Sequence, residues 1–419
     1  MSQLRVLIVG ASIAGPTAAY WFAKAGAKVT IIERFPQLRT NGQNIDIRTV
    51  GVTVMRKIPG MEEAVRAKTI PLKGISFIRS DGRPYGTIST TGDPDQQSLV
   101  SEYEIFRGDL SRILYDQTAA HPSIKYVFGE QVASIQHNQN DGPITVQFAN
   151  GLSEAEFDLV VACDGATSRT RAMGFGVGVR DHIVPTGGWA AYFSIKKDLL
   201  EGSNIAKAYN AVGGRFMAAG PDPWGVNRVV MIKNHPSSDS NATGPFQDAM
   251  KQGEDTLKRF VAQTFNKAGW RCEDIVKDMM EAEDFYTSEI VHVKVLQLSK
   301  GRVVLVGDAG YAASTGTGTS LAMAGAYVLA GEVCKHKGDL SRALQGYEET
   351  MRPLIDDMQK VPLLLPSILA PQTSWGLWLK NTVVTFVCWT GILELTQKFF
   401  AGSFANTNRY KLPEYEWET

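Results

Sequence analysis

Three short stretches hold residue types that could handle a phosphorylated cofactor. The first is Gly10-Ala-Ser12-Ile-Ala-Gly15. Gly10 permits a tight turn, the small Ser12 lets the backbone approach an anion, and Gly15 lets the following helix pack closely on its strand. Free N–H groups and a partial positive charge at that helix start suit a pyrophosphate. Glu33 closes the next apolar run, where a carboxylate can accept from a ribose hydroxyl. The second stretch is Asp164-Gly165-Ala-Thr-Ser168-Arg-Thr-Arg171, which also reads as an Asp-Gly turn with a serine-capped helix. The third is Gly307-Asp308-Ala-Gly-Tyr311, whose aspartate could accept from polyol hydroxyls. Thr315-Gly316-Thr-Gly318-Thr then opens a helix whose N–H groups would stabilise negative charge on a bound group.

Buried strands must hold these stretches. Leu4–Val9, Ala27–Glu33, Phe157–Cys163 and Arg302–Val306 are short branched apolar runs without alternation, as expected of parallel strands covered on both faces. A helix over Ile13–Ala25 completes a βαβ unit. Phe106–Ala120 is amphipathic, with Leu110, Ile113 and Leu114 on one face. Strands are expected around Ile124–Val132 and Ile144–Ala149, with Asp141-Gly142 turning between them. From Met173 to Leu298 the texture changes to alternating segments with scattered glycines and aromatics. This predicts a mixed, largely antiparallel sheet that a hairpin over Ile75–Ile88 joins. Further helices are expected over Thr319–Lys335, Leu340–Lys360 and Trp375–Phe400.

The 419 residues suffice for two joined domains. Lys plus Arg and Asp plus Glu number 43 each, so no net charge draws the chain to nucleic acid or anionic lipid. Cys163, Cys272, Cys334 and Cys388 are scattered without metal-ligand spacing, which points to reduced thiols in a cytoplasmic protein. No signal peptide is read at the N-terminus. The uncharged part of the C-terminal helix, Asn381–Leu393, is too short to span a bilayer. It is expected to be buried against the parallel-sheet domain or at a dimer interface, membrane contact being the less favoured reading. The chain is expected as a monomer or homodimer.

The three motifs, each ending a buried strand and in this order, resemble the class A flavoprotein monooxygenases, the para-hydroxybenzoate hydroxylase-like family. The resemblance covers roughly residues 1–350 and rests on GxSxxG, DGxxSxxR and GDAGY. Residues 40–55 and the third motif are similar to a microbial subgroup that oxygenates polyketides, alkaloids and tetracycline-like antibiotics. The resemblance implies an α/β fold: a Rossmann-like, glutathione reductase-type FAD domain with an interleaved mixed-sheet substrate domain and C-terminal helices. The expected flavin domain is discontinuous, over 1–72, 101–172 and 299–360. The substrate domain takes 73–100 and 173–298, and a helical segment 361–419.

It further implies that Gly10, Ser12, Gly15, Glu33 and Arg34 hold the adenosine end of FAD. Gln43, Asn44 and Arg48 approach the flavin, Arg107 contacts it, Asp164 supports FAD and the nicotinamide, Asp308 binds ribitol, and Gly318 meets the isoalloxazine. NADPH or NADH would reduce FAD, O2 would add at the flavin C4a, and the hydroperoxide would pass one oxygen atom to a small apolar or aromatic substrate. Hydroxylation, epoxidation and Baeyer–Villiger insertion stay open, and the competing reading is a flavin-bearing sequestering protein without turnover. Two departures bear on the ring's surroundings: Tyr311 stands where the family has histidine, and Ala313-Ser314 where many members have two prolines. Tyr192 and Tyr209 are the candidate catalytic phenols. Arg215 and Trp224 are candidate pocket residues, while His182, His235 and His292 are read as surface or satisfied sheet residues.

Overall fold

The computed structural model describes residues 3–39, 42–90, 102–138, 142–222, 225–236, 239, 241–314, 316–360, 370–390 and 410–417. Arg5–Val9 lies inside a six-stranded sheet, in the order Ser299–Lys300, Val303–Leu305, Leu159–Ala162, Arg5–Val9, Lys28–Glu33, Ile124–Phe128. All but the antiparallel edge strand Ser299–Lys300 run parallel. Val6, Leu7, Ile8 and all of Leu159–Ala162 are fully buried, which is why these strands show no polar alternation.

Helix Ala14–Lys24 packs on this sheet, and helix Gly318–Lys335 packs on that helix. Their closeness rests on small residues: a Cβ on Gly307 would lie 3.2 Å from Ala14 Cβ and 3.3 Å from Ala322 Cβ. The stretch 410–417 returns to this core, with the Trp417 ring 4.8 Å from Trp21.

The predicted run Ile124–Val132 divides between sheets. Ile124–Phe128 joins the parallel sheet, whereas Val132–Gln136 pairs with Ile144–Phe148 and, through it, Ala155–Phe157. The break falls at Glu130, whose buried carboxylate accepts four backbone N–H groups, from Gln131, Ala149, Asn150 and Leu152. Burial would raise this carboxyl, but the four bonds outweigh it and hold it below its ordinary value.

The second large sheet has seven strands, in the order Tyr286–Val293, Ile183–Ile195, Asn227–Asn234, Arg215–Pro221, Ile205–Ala211, Gly74–Ile78, Pro84–Ser89. Only the Ile205–Ala211/Gly74–Ile78 pair is parallel. The hairpin from residue 74 to 89 joins it, turning at Gly82 with φ +83°. One face, carrying Trp189, Ala191, Phe193, Tyr209, Met217 and Met231, forms a core with helices Gly244–Lys251, Glu254–Phe265 and Cys272–Glu281. Trp189 stacks on Phe246 with centroids 5.1 Å apart.

The opposite face looks toward the parallel sheet: Arg228 lies 4.7 Å over the Phe106 ring, and His292 Nε2 is 2.6 Å from Ser314 Oγ. The C-terminal helix, Ser374–Trp389, packs against strand Pro84–Ser89, not the parallel-sheet domain as expected. The reason is Gly86, which leaves room for Cys388 and Val384 where a Cβ would stand 2.8 and 3.2 Å away. Trp375, Trp378, Phe386 and Trp389 remain exposed. No helix among the described residues is long and apolar enough to cross a membrane.

Candidate active site

The three motifs converge because their strands are neighbours in one register. Val9 pairs with Ala162, and Ala162 with Leu305, so Gly10, Asp164 and Gly307 follow the same edge of the sheet. Ligands of open parallel sheets bind at this carboxyl edge. Gly10 has φ +108°, and a Cβ there would fall 2.5 Å from Cys163 O. A Cβ on Gly15 would stand 1.9 Å from Gly10 O. Neither helix start at this edge, Ile13 before Ala14–Lys24 or Thr317 before Gly318–Lys335, has a side-chain cap. Their first N–H groups are thus available to an anion or a polarised carbonyl.

Glu33 closes its strand beside this cradle. It accepts from Ala11 N at 2.9 Å and Phe35 N at 3.1 Å, which fixes the carboxylate with lone pairs to spare for a sugar hydroxyl. Arg34 is exposed, its guanidinium 4.9 Å from the Phe35 ring centroid.

Asp308, Arg107, Gln43 and Gly318 come together at the other end. Asp308 is accessible, yet surrounding protein raises its carboxyl, opposed by the Arg107 charge. Accessibility combined with desolvation marks a residue lining an internal cleft. Asp308 Oδ1 lies 3.5 Å from the Cβ position of Gly318, and Arg107 N donates to Gln43 O at 3.0 Å. Gln43 Oε1 is buried without a hydrogen-bond partner, an orphaned acceptor that a polar cofactor edge would satisfy. A glycine cradle, two uncapped helix starts, two carboxylates able to accept from hydroxyls and this orphaned amide are a donor and acceptor set that fits FAD.

Some motif residues are spent on the protein itself. Asp164 accepts from Ser168 Oγ, Thr170 N and Thr170 Oγ1, closing its own loop. Fully buried Arg171 donates to Ala166 O, Val179 O and Ala309 O, riveting the second motif to the third. Tyr311 is buried in the core, its hydroxyl 3.2 Å from Tyr347 Oη. Ser314 is held by His292, a satisfied residue of strand Tyr286–Val293. Asn44 and Arg48 serve two carboxyls absent from the sequence reading: Asn44 Nδ2 donates to Glu104 Oε1 at 3.0 Å, and Arg48 holds Asp46 at 3.0 Å.

The two candidate phenols part company by strand parity. Tyr209 faces the helices, donates to Ala268 O at 2.9 Å and stacks near Trp270, out of reach of the cleft. This corrects its reading as a catalytic phenol: the hydroxyl is committed to the core. Tyr192 lies on the opposite face, its ring 6.2 Å from that of Tyr286. Burial pushes its phenol up to about 12, so it is a neutral donor at physiological pH. Arg215 caps the carbonyls of Val212, Thr264 and Asn266, and Trp224 lies outside the described residues.

The chain is similar to known proteins along its length. The family model described as an FAD binding domain matches residues 3–359. Monooxygenase CTB7 of Cercospora beticola is 32% identical, the match covering 99% of this chain and 98% of that one. FAD-dependent monooxygenase asL4 of Sarocladium schorii is 31% identical, with 99% of both chains covered. Among solved structures, the tetracycline destructase Tet(51) superposes with a TM-score of 0.76 at 26% identity, covering 99% of this chain and 100% of its own. Klebsiella pneumoniae HpxO, solved with FAD and uric acid, shares the fold, with a TM-score of 0.70 at 20% identity and 94% of this chain and 96% of its own covered. The chain belongs to the FAD-binding-domain family and is an FAD-dependent monooxygenase.

Proposed function

We propose that this monooxygenase acts on a flat, mostly apolar polycyclic molecule bearing a hydroxyl or carbonyl group, with NADPH or NADH as the electron source. The observation that carries this reading is the cleft-facing side of the seven-stranded sheet. Tyr192, Phe216, Ala218, Val230 and Ile232 there are partly accessible, whereas their neighbours on the helix side are buried. Small and branched residues in a sheet make a flat wall, and the phenols of Tyr192 and Tyr286 supply a directional polar contact. The likeness to a tetracycline destructase over the whole chain supports a ring system of that kind.

In this reading residues 1–72, 101–172 and 299–360 form the FAD domain and 73–100 with 173–298 the substrate domain. Gly10, Ser12 and Gly15 receive the pyrophosphate, Glu33 and Arg34 the adenosine, Asp308 the ribitol, and Gln43, Arg107 and Gly318 the ring end. Bound FAD supplies the redox chemistry, carrying two electrons from the nicotinamide to O2 so that one oxygen atom enters the substrate and the other leaves as water. The protein's own part is orientation and water exclusion. Tyr192 donates a hydrogen bond to a substrate oxygen, and the apolar wall keeps bulk water from the reacting centre.

The test is anaerobic stopped-flow absorbance of the flavin-loaded protein with NADPH, across a panel of phenols and polycyclic ketones. One ligand class should speed flavin bleaching by an order of magnitude or more. A bound flavin that neither nicotinamide reduces, with any ligand, would favour a sequestering protein instead.

A further inference from the structure

The strand Asn44–Asp46 pairs antiparallel with Glu104–Phe106 in a two-stranded ribbon, Asp46 directly opposite Glu104. Strand alternation sorts the ribbon's faces. Ile47, Tyr103 and Ile105 are fully buried in the flavin-domain core. Asn44, Asp46, Arg48, Glu104 and Phe106 take the other side, where Arg228 of the substrate sheet meets Phe106. The ribbon also abuts the helix start assigned to the ring end of FAD. Arg48 N donates to Ser320 Oγ at 2.9 Å, and a Cβ on Gly51 would lie 2.7 Å from that oxygen. Two carboxyls therefore stand opposite each other on the ribbon face that carries Phe106 and its Arg228 contact, beside the helix start proposed above for the ring end of FAD.

We infer that Asp46 and Glu104 share one exchangeable proton in the active site, and that Glu104 takes a proton from a substrate hydroxyl and returns it to the product. The inference rests on the proposed substrate reading above. Opposed positions on an antiparallel ribbon bring two carboxylates too close for both to ionise freely. Arg48 balances one charge, at 3.0 Å from Asp46, and the Asn44 amide bonds Glu104 at 3.0 Å. That leaves one site negative and one able to carry a proton.

Burial pushes Glu104 up to about 7, the Asp46 charge adding to it, with the Asn44 bond and Arg48 charge opposing. Asp46 is raised by burial too, against the charge and bond of Arg48. The neighbouring elements add few further charges. Helix Gly318–Lys335 presents the neutral Ser320, Arg107 serves Asp308, and the substrate sheet brings Arg228, itself bound to Asp222 and Asp284.

The proposed step is a proton transfer. The substrate O–H bond breaks, its electron pair stays on oxygen to give a phenolate or enolate, and a Glu104 O–H forms. No electron changes owner. A phenolate or enolate is the more nucleophilic partner for electrophilic oxygen, so the transfer belongs at the start of oxygenation.

The test uses the flavin-loaded full chain as wild type, E104Q and D46N. FAD content and ligand-stimulated NADPH reduction are measured first; failure there in all three proteins counts against the substrate reading, not against the shared proton. Infrared spectroscopy then follows the protonated-carboxyl band, and absorbance the bound flavin, from about pH 5 to about pH 9. Wild type should show one transition in both signals with a midpoint near 7. E104Q should lose it, and D46N should move it down by about one unit or more, because the neighbouring charge is gone. With a stimulating ligand, kcat/KM should rise through the same midpoint in wild type and be flat and about tenfold or more lower in E104Q. A transition that survives in E104Q, or one that D46N leaves unmoved, overturns the inference.

Discussion

The flavin cradle and the substrate wall are built from different materials. At the cradle, most of the recognition is backbone: two glycines that no Cβ could replace and two helix starts without side-chain caps. At the wall, recognition lies in which side chains a strand turns inward. Tyr192 and Tyr209 show how little separates the outcomes: one stands on the sheet face opposite the helices, the other fills the core. A backbone site tolerates almost no change at its few positions. A side-chain site can be retuned residue by residue.

That contrast sets an order of expected effects. Gly15→Val should be the most severe, since its side chain begins 1.9 Å from Gly10 O, and the purified protein should be colourless. Absorbance of the purified protein checks this; a yellow Gly15→Val variant would break the backbone account of the cradle. Asp308→Ala should weaken FAD binding by about ten- to a hundredfold, roughly 1.5–3 kcal/mol for a lost charged hydrogen bond. Fluorescence titration of the deflavinated protein with FAD measures it.

Tyr192→Phe should leave FAD affinity unchanged and lower kcat/KM for the stimulating substrate by about tenfold. Equal losses in FAD affinity and turnover would place Tyr192 in the cradle instead. Tyr209→Phe should be kinetically silent and cost about 1 kcal/mol of stability through the bond to Ala268 O. Urea denaturation paired with steady-state kinetics sharpens the comparison between the two phenols.

Legibility in the sequence follows the same division. The cradle could be read because glycine at a tight turn, a short apolar run before it and an acid after the next run are local constraints. The DGxxSxxR motif was also visible, though its Asp164 and Arg171 hold loops together in the structure. Helices Glu254–Phe265 and Cys272–Glu281 escaped notice within the glycine-rich substrate segment, although Leu257, Val261 and Phe265 repeat at helical spacing.

Asp46 and Glu104 could not be recognised as a pair, because 58 residues separate them and only the ribbon register sets them opposite. His292 is the satisfied sheet residue its sequence context suggests, but its partner Ser314, far along the chain, is set only by the fold. The parity of Tyr192 and Tyr209 was open as well. Alternation tells which residues share a face, but not which face meets the flavin domain.

The central claim is oxygen transfer within the cleft between the two sheets, and isotope labelling tests it most directly. Turnover of the stimulating substrate under 18O2 with NADPH should give a product carrying one labelled oxygen atom, with the second label in water. An unlabelled product, or NADPH oxidation that yields only hydrogen peroxide with every ligand of the panel, would contradict the account.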